Sequence, residues 1–310
     1  MTCSVVIRAY NEERHVGRLL KGIQHQTIKD VEIILVDSGS SDSTVSIAES
    51  FGARIVKIAS DEFTFGRSLN FGVRAARGDL IVIASAHVYP VYPDWLETLL
   101  HPFEDERVAL TYGKQRAPEF ARFSEGQVFH QWYPDASDLD QATAFCNNAN
   151  AAIRKSLWEK NPYDETLTGL EDLAWAKWAK GQGYRVAYVA EAEIVHVHNE
   201  TPRAVFNRYR REAMAFKRIH PEAHFNLYDF ARLTTTNICS DLYHAARAGL
   251  LWKNIASIFW LRLMQFHGTR IGYRDSGWLT PQLRQTFYYA RQRKPEDPAR
   301  RGVEPIHYDN

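Results

Sequence analysis

Several side chains in this sequence have types and spacings that could do chemistry. Asp37 ends the apolar run Val31–Val36 and opens Asp37-Ser38-Gly39-Ser40-Ser41-Asp42. A carboxylate at a strand end can accept the imide N–H of a uracil or thymine ring. It can discriminate, because an imide left unpaired costs ~1–3 kcal/mol. The Ser and Gly after it permit close backbone approach. Glu171-Asp172 opens a helical pattern behind Gly169. Two acids there either favour the helix dipole, commonly by ~0.3–1 kcal/mol each, or include a general base. His196-Val197-His198 ends an alternating stretch, which puts both imidazoles on one face of a strand. That is a ligand pair or a plain strand end. Asn147 and Asn148 interrupt the strand-like Ala144–Ile153, where they can satisfy buried backbone groups. His87 follows the apolar run Leu80–Ala84; taken alone, it reads as a satisfied structural histidine.

The elements that must position these groups follow from hydrophobic patterning. Cys3–Ile7 and Val31–Val36 are short apolar runs between turn residues, and Val16, Leu19, Leu20 and Ile23 between them recur at helical spacing. This is a βαβ unit with buried parallel strands. In open α/β sheets, ligands bind beyond the carboxyl ends of strands. Tyr10-Asn11-Glu12-Glu13 and the Asp37 cluster stand at such ends. A helix at Ser43–Phe51 behind Asp42 as N-cap, a strand at Ala53–Ile58, a helix at Phe71–Ala76, the strand Leu80–Ala84, a helix at Trp95–Phe103 and a strand at Val108–Tyr112 continue the alternation. It predicts a doubly wound α/β sheet. Residues 114–143 lack periodicity and read as an irregular segment lining or covering a site. Tyr184–Val189 and Glu193–His198 read as strands. From Thr201 the pattern turns helical: Val205–Ile219, Leu227–Ala248, Leu251–Tyr273 and Pro281–Arg291. The division expected is a catalytic domain over 1–200, a helical region over 201–292 and a loose polar tail over 293–310.

The chain has 310 residues, 45% hydrophobic and 24% charged, with a formal net charge of +1. That is ordinary globular material with no field favouring nucleic acid. Cys3, Cys146 and Cys239 lie far apart without metal spacing and fit a reducing, cytoplasmic compartment. The chain runs straight into a strand, so no signal peptide is expected. Leu80–Pro93 is charge-free but broken by His87, Pro90 and Pro93, and too short for a membrane span of about 20 apolar residues. Neither G-x-x-x-x-G-K-[ST] nor G-x-G-x-x-G is present.

Tyr10-Asn11-Glu12 followed by Asp37-Ser38-Gly39-Ser40-Ser41-Asp42 resembles the paired signatures of the family 2 glycosyltransferases, which carry the GT-A fold. Phe63, Gly66, Asn70, Gly78, Pro90, Trp95 and Leu96 match the bacterial rhamnosyltransferase branch. The resemblance implies an α/β GT-A sheet, mostly parallel and flanked by helices, with a helical C-terminal extension. It implies nucleotide contacts from Ala9, Tyr10, Glu12, Asp37, Ser38 and Asn70. Asp172 is implied as the catalytic base with Glu171 beside it, and Asn147 and Asn148 as neighbours of the acceptor or donor sugar. Two departures from the branch are Phe65 in place of His and Leu69 in place of Arg. A third concerns the metal. The acidic motif after the fourth strand is replaced by Ser85-Ala86-His87, with His87 in register with the metal-binding carboxylate. His87 is then a ligand for Mn²⁺ or Mg²⁺, a direct donor to the diphosphate, or the remnant of a lost site. His196 and His198 can complete the diphosphate or metal site.

The function implied is inverting transfer from a nucleoside-diphosphate sugar of UDP or dTDP type to a glycan, lipid-linked or free, in bacterial surface polysaccharide synthesis. A non-catalytic GT-A domain that binds nucleotide for assembly is the alternative; a nucleotidyltransferase lacks the Gly- and Arg-rich phosphate loop. The face Leu250, Leu251, Trp252, Ile255, Ile258, Phe259, Trp260, Leu263, Met264 and Phe266, flanked by Lys253, Arg262, Arg270 and Arg274, either lies on the inner face of the plasma membrane, packs on the catalytic domain, or joins a second copy as a homodimer.

Overall fold

A computed structural model describes residues 2–198, 200–275, 277 and 279–288. The apolar runs become strands because their alternate residues reach two separate cores. In β1 (Cys3–Ala9) Val5 and Ile7 point to one core and Val6 to the other; in β4 (Leu80–Ser85) Val82 and Ala84 oppose Ile81 and Ile83. This is the period of two expected of a doubly covered sheet. With β2 (Val31–Asp37), β3 (Arg54–Lys57), β5 (Val88–Pro90), β6 (Val108–Arg116), β7 (Asn150–Arg154) and β8 (Arg185–His196), they form one sheet of order β3-β2-β1-β4-β7-β6-β8-β5. The β1–β2, β1–β4, β2–β3 and β6–β8 pairs are parallel. β7 is antiparallel to both its neighbours, and β5 is antiparallel to β8.

One face is covered by α1 (Val16–Gln24), α2 (Thr44–Ser50) and α4 (Trp95–Leu100), through residues such as Leu19, Leu20, Ala48, Trp95 and Leu99. The other is covered by α3 (Phe65–Ala75), α6 (Lys155–Lys160) and α7 (Glu171–Gly181), through Leu69, Val73, Leu157, Trp158, Trp175 and Ala179. The register aligns the chemistry: Ala9 stands opposite Asp37, Arg8 opposite Ser85 and Val88 opposite His196.

Several boundaries differ from the expectations. Residues 114–143 hold the end of β6 and a helix, α5 (Phe123–Trp132). Val128, Phe129 and Trp132 do fall at helical spacing, but Phe123 lies on the opposite side and three apolar residues are too few to mark a helix, which hid it. The strand at Ala144–Ile153 begins only at Asn150, because the backbone at Asn148 is bonded elsewhere. The stretches at 184–189 and 193–198 are one strand, irregular where Gly113 and Gln115 face Val189 and Ile194; it ends at His196, before His198. Ser43, not Asp42, is the residue before α2, although Asp42 accepts from Thr44 N at 3.0 Å and Oγ1 at 2.5 Å.

The C-terminal helices are α8 (Pro202–Ile219), α9 (Leu227–Arg247), α10 (Leu251–Arg274) and α11 (Pro281–Tyr288). The tail over 293–310 lies outside the described residues. Gly268 and Gly272 bring α10 against the α8 backbone at Phe206 and Arg210, where a Cβ would collide. Arg262 does not flank an exposed face. It is buried, bonded through Nε and Nη2 to Asp241 at 2.7 and 2.9 Å, and Asp241 also accepts from Ser124 of α5 at 2.6 Å. A charge this deep is tolerated because its partner and hydrogen bonds compensate. Among the described residues, no helix is long and apolar enough to cross a membrane.

Candidate active site

The predicted residues converge at one edge of the sheet, because parallel strands place their carboxyl ends together. The two signature loops lock each other there. Asn11 N donates to Ser40 Oγ (2.9 Å), Ser41 N to Asn11 Oδ1 (2.8 Å), and Glu12 N to Thr44 Oγ1 (2.7 Å). Asp37 is buried at the end of β2, and its carboxylate accepts from Gly39 N at 3.1 Å and Ser40 N at 3.2 Å. Gly39 takes φ +97°, where a side chain would be strained. Ser38 is buried with its N donating to Ala9 O at 3.2 Å. Ala9 is buried at the end of β1, with Tyr10 half-buried beside it.

The carboxylate pair opens α7. Both side chains are buried. Asp172 accepts from Asn148 N at 2.9 Å and from Leu173 N at 2.8 Å, while Asn148 Nδ2 donates to Glu171 at 3.3 Å. Arg8 Nη1 lies 3.9 Å from Glu171. Burial, then the neighbouring Glu171 charge, push Asp172 up to about 7; the bonds from Asn148 and Leu173 and the Arg8 charge pull the other way. A carboxyl tuned there suits proton abstraction near neutrality. Asn148 thus positions the pair. Asn147 accepts from Ala149 N through Oδ1 at 2.9 Å.

His87, His196 and His198 form a cluster whose ligating atoms all lie within 4.8 Å of one another. The fold makes it: Val197 N donates to His87 O at 3.0 Å, so the β5–β8 pairing carries His87 to the histidine pair. The rings of His196 and His198 are 4.1 Å apart, and those of His87 and His196 stack at 5.1 Å. Each Nδ1 faces an oxygen: Glu12 at 2.8 Å from His87, Gln115 Oε1 at 2.7 Å from His196, and Glu200 at 3.5 Å from His198. Oxygens that only accept fix the hydrogen on Nδ1 and leave the Nε2 lone pair, the arrangement behind metal-ligating histidines. Ser85 Oγ lies 3.2 Å from His87 Nε2, whereas His196 Nε2 is buried without a hydrogen-bond partner. Burial and the neighbouring His198, His87 and Arg208 hold His196 well below its ordinary range, and burial lowers His198. Burial also works against a charge on His87, but Glu12 outweighs it and the net direction is upward. This donor set fits a divalent first-row cation.

Asn70 does not belong with these residues. Its Nδ2 donates to Tyr163 O and Glu165 Oε1, both at 2.9 Å, and its Oδ1 accepts from Trp158 Nε1 at 2.9 Å and Tyr163 N at 3.0 Å. These bonds use the whole capacity of an amide, so Asn70 braces α3 against the chain after α6. Glu12 reaches the site through His87. Three residues beside these groups carried no site role in the sequence analysis: Arg8 near Glu171, Gln115 against His196, and Glu125, with a carboxylate oxygen within 4.8 Å of a His198 ring nitrogen. Arg8 had left a signal, a charge inside the apolar β1; Gln115 and Glu125 are placed only by pairing and packing.

A model of glycosyl transferase family 2 matches residues 4–161. The O-antigen chain rhamnosyltransferase RfbN of Salmonella typhimurium is 31% identical over 223 residues, covering 67% of this chain and 70% of the relative. WbaN of Salmonella anatum, also an O-antigen chain rhamnosyltransferase, is 32% identical over 197 residues, 60% of this chain and 62% of its own. The mannosyltransferase PcManGT of Pyrobaculum calidifontis, solved in complex with GDP-Man and Mn²⁺, aligns with a TM-score of 0.59 at 18% identity, over 88% of this chain and 86% of that one. S. aureus TarS 1–349 aligns at 0.53 and 14% identity, over 89% and 91%. These structures share the GT-A fold with this one. The sequence matches place the chain in glycosyl transferase family 2, alongside the O-antigen rhamnosyltransferases, and it is a glycosyltransferase.

Proposed function

We propose that the protein transfers a sugar, with inversion, from a nucleoside-diphosphate donor to a glycan acceptor in O-antigen-type surface polysaccharide synthesis. A deoxyhexose of the rhamnose class is the first donor sugar to test, because the curated relatives are named for rhamnosyl transfer. The observation that carries the proposal is the buried Asp172 carboxylate, tuned to about 7 and aimed by two backbone N–H groups. In a single displacement, Asp172 takes the proton of the acceptor hydroxyl as that oxygen bonds the anomeric carbon. The bond from that carbon to the diphosphate breaks, and its electrons leave with the diphosphate oxygen. Asp37 accepts the imide N–H of the base, and uridine and thymidine both present one. Asn147 borders the sugar. His87, His196 and His198 hold a divalent cation, which when bound supplies charge neutralisation to the departing diphosphate.

The exposed residues Trp252, Phe259 and Leu263 of α10 support a peripheral position at the cytoplasmic face of the membrane, where a lipid-linked acceptor would be met. Incubating the protein with UDP-, dTDP- and GDP-linked sugars and a lipid-linked glycan tests the function. Acceptor-dependent release of nucleoside diphosphate, with a product anomer opposite to the donor's, is expected. Retention of configuration refutes the single displacement, and failure to turn over any of the donors refutes the reading.

A further inference from the structure

The histidine cluster lacks one thing that the chemistry asks for, a negative charge among the ligands. Three neutral imidazoles bind a cation through lone pairs alone, and oxygen donors suit Mn²⁺ and Mg²⁺ better than nitrogen. Ser85-Ala86-His87 leaves the end of β4 without the carboxylate. A carboxylate approaches the cluster from elsewhere. Glu125, in the first turn of α5, is only 5% exposed, and neither carboxylate oxygen has a hydrogen-bond partner. Its nearest cation, Arg122, stands 3.8 Å away without a hydrogen bond. A buried carboxyl in that condition either keeps a proton, which burial favours here, or is joined by a cation. Glu125 lies within 4.8 Å of ligating atoms of both His198 and Glu200.

The orientation of α5 is not accidental. Phe129, four residues on and so on the same helical face as Glu125, packs its ring 5.9 Å from that of His196 and 6.1 Å from that of His198. Ser124 is tied to Asp241 of α9, which is in turn bonded to Arg262 of α10, and the Arg122 guanidinium lies 4.8 Å over the Trp260 ring. The C-terminal helices therefore fix the face of α5 that looks onto the histidines. Glu200 is less suited to ligation, because Arg208 already neutralises it: Nε donates to Oε2 at 2.8 Å and Nη2 lies 2.8 Å from the same oxygen.

We propose that Glu125 is the acidic ligand of the cation held by His87, His196 and His198, supplied from α5 in place of the carboxylate missing after β4. This rests on the cation reading given above. One ion must draw Glu125 toward the histidines it does not yet reach, a side-chain rotation about its flexible bonds. A carboxylate among the ligands gives the site one negative charge and a hard oxygen, which together favour Mn²⁺.

The test is titration of Mn²⁺ alone into the full chain by calorimetry, with melting curves of the metal-free proteins. Glu125→Gln is expected to weaken Mn²⁺ binding by about tenfold or more, as losing a ligand or its close partner does. The metal-free variant should melt no lower than the wild type, because an unpartnered buried carboxyl has been removed. An unchanged Mn²⁺ dissociation constant in Glu125→Gln overturns the proposal. So does a wild type that binds no Mn²⁺, or one whose Mn²⁺ affinity survives His196→Ala, since the ion is then not at the histidines. Should Glu125→Gln not fold, Glu125→Asp decides through the visible spectrum of bound Co²⁺: a shifted spectrum supports ligation and an unchanged one overturns it. These readouts need no sugar transfer. A wild type that binds Mn²⁺ through Glu125 yet transfers nothing refutes the proposed function and leaves this inference standing.

Discussion

Asp172→Asn should disable transfer and stabilise the fold at the same time. The ordinary carboxyl value of 3.8 is raised to about 7 in the folded protein, burial being the main cause. At about 1.36 kcal/mol per pH unit, that difference is worth about 4 kcal/mol. The sign is fixed by which form the fold prefers. The folded value lies above the unfolded one, so the fold favours the protonated acid. This contribution is fully present below pH 3.8 and is lost as pH rises through about 7. Above neutrality the ionised side chain therefore costs stability, and Asn removes the charge. Asn cannot accept from both Asn148 N and Leu173 N, since one of its two polar atoms is a donor. Losing one of those bonds returns ~1–3 kcal/mol, leaving a net gain of about 1–3 kcal/mol at pH 8 and a Tm higher by a few degrees. The gain should shrink as pH is lowered toward 4. Removing a general base should reduce the rate by about 10²–10⁴-fold with donor affinity little changed. In the wild type, the rate should fall about tenfold per pH unit below 7 and level off above it. Acceptor-dependent nucleoside-diphosphate release, followed across that range, and calorimetric melting at pH 5 and 8 check both halves. A variant that keeps near-normal turnover while Glu171→Gln does not would move the base to Glu171. A Tm that drops at pH 8 would refute the account of the buried charge.

Three further outcomes follow from the geometry. Asp37→Ala should weaken both UDP and dTDP binding by about 1–3 kcal/mol, roughly 5- to 150-fold; equal affinities for variant and wild type by calorimetry would remove Asp37 from the nucleotide site. Asn70→Ala should lower the Tm without altering nucleotide affinity, since Trp158 Nε1 and Tyr163 N lose their acceptor. A loss of about 3 kcal/mol corresponds to roughly 6 °C, and a variant that melts normally but binds nucleotide poorly would restore Asn70 to the site. Replacing Trp252, Phe259 and Leu263 by Ser should abolish flotation with anionic liposomes, Trp252 being 85% exposed. Intact protein that stays off liposomes but scatters light as a dimer would make this face a subunit contact.

What the sequence determined by itself is what depends on local pattern. Short apolar runs with turn residues at their ends specify buried strands, so the carboxyl-end edge could be located before any contact was known. Asp37 and Asp172 could be singled out because each lies within a signature at an element boundary, and the structure puts them at the end of β2 and the start of α7. The extents of α8, α9 and α10 were also close, since long helical stretches are set by composition and periodicity over many residues. Other features are products of distance in the chain. The side-chain type of Asn70 and its match to a family position suggested a ligand contact, but its partners are Trp158, Tyr163 and Glu165, brought in by the packing of α3 against the segment after α6. Arg262 has the appearance of a flanking surface charge until the α9–α10 pairing places Asp241 beside it. The resemblance had already put His87 with His196 and His198; what joins them physically is the β5–β8 pairing, and β5 is too short to show in a hydrophobic pattern. Glu125 sits in a segment without periodicity, and only the docking of α5 on the C-terminal helices turns its carboxylate toward His198. Local pattern decides which backbone a residue joins. Which distant side chain it meets is decided by how whole elements pack, as when the β5–β8 pairing brings His87 to His196 and His198 and the docking of α5 brings Glu125 near His198.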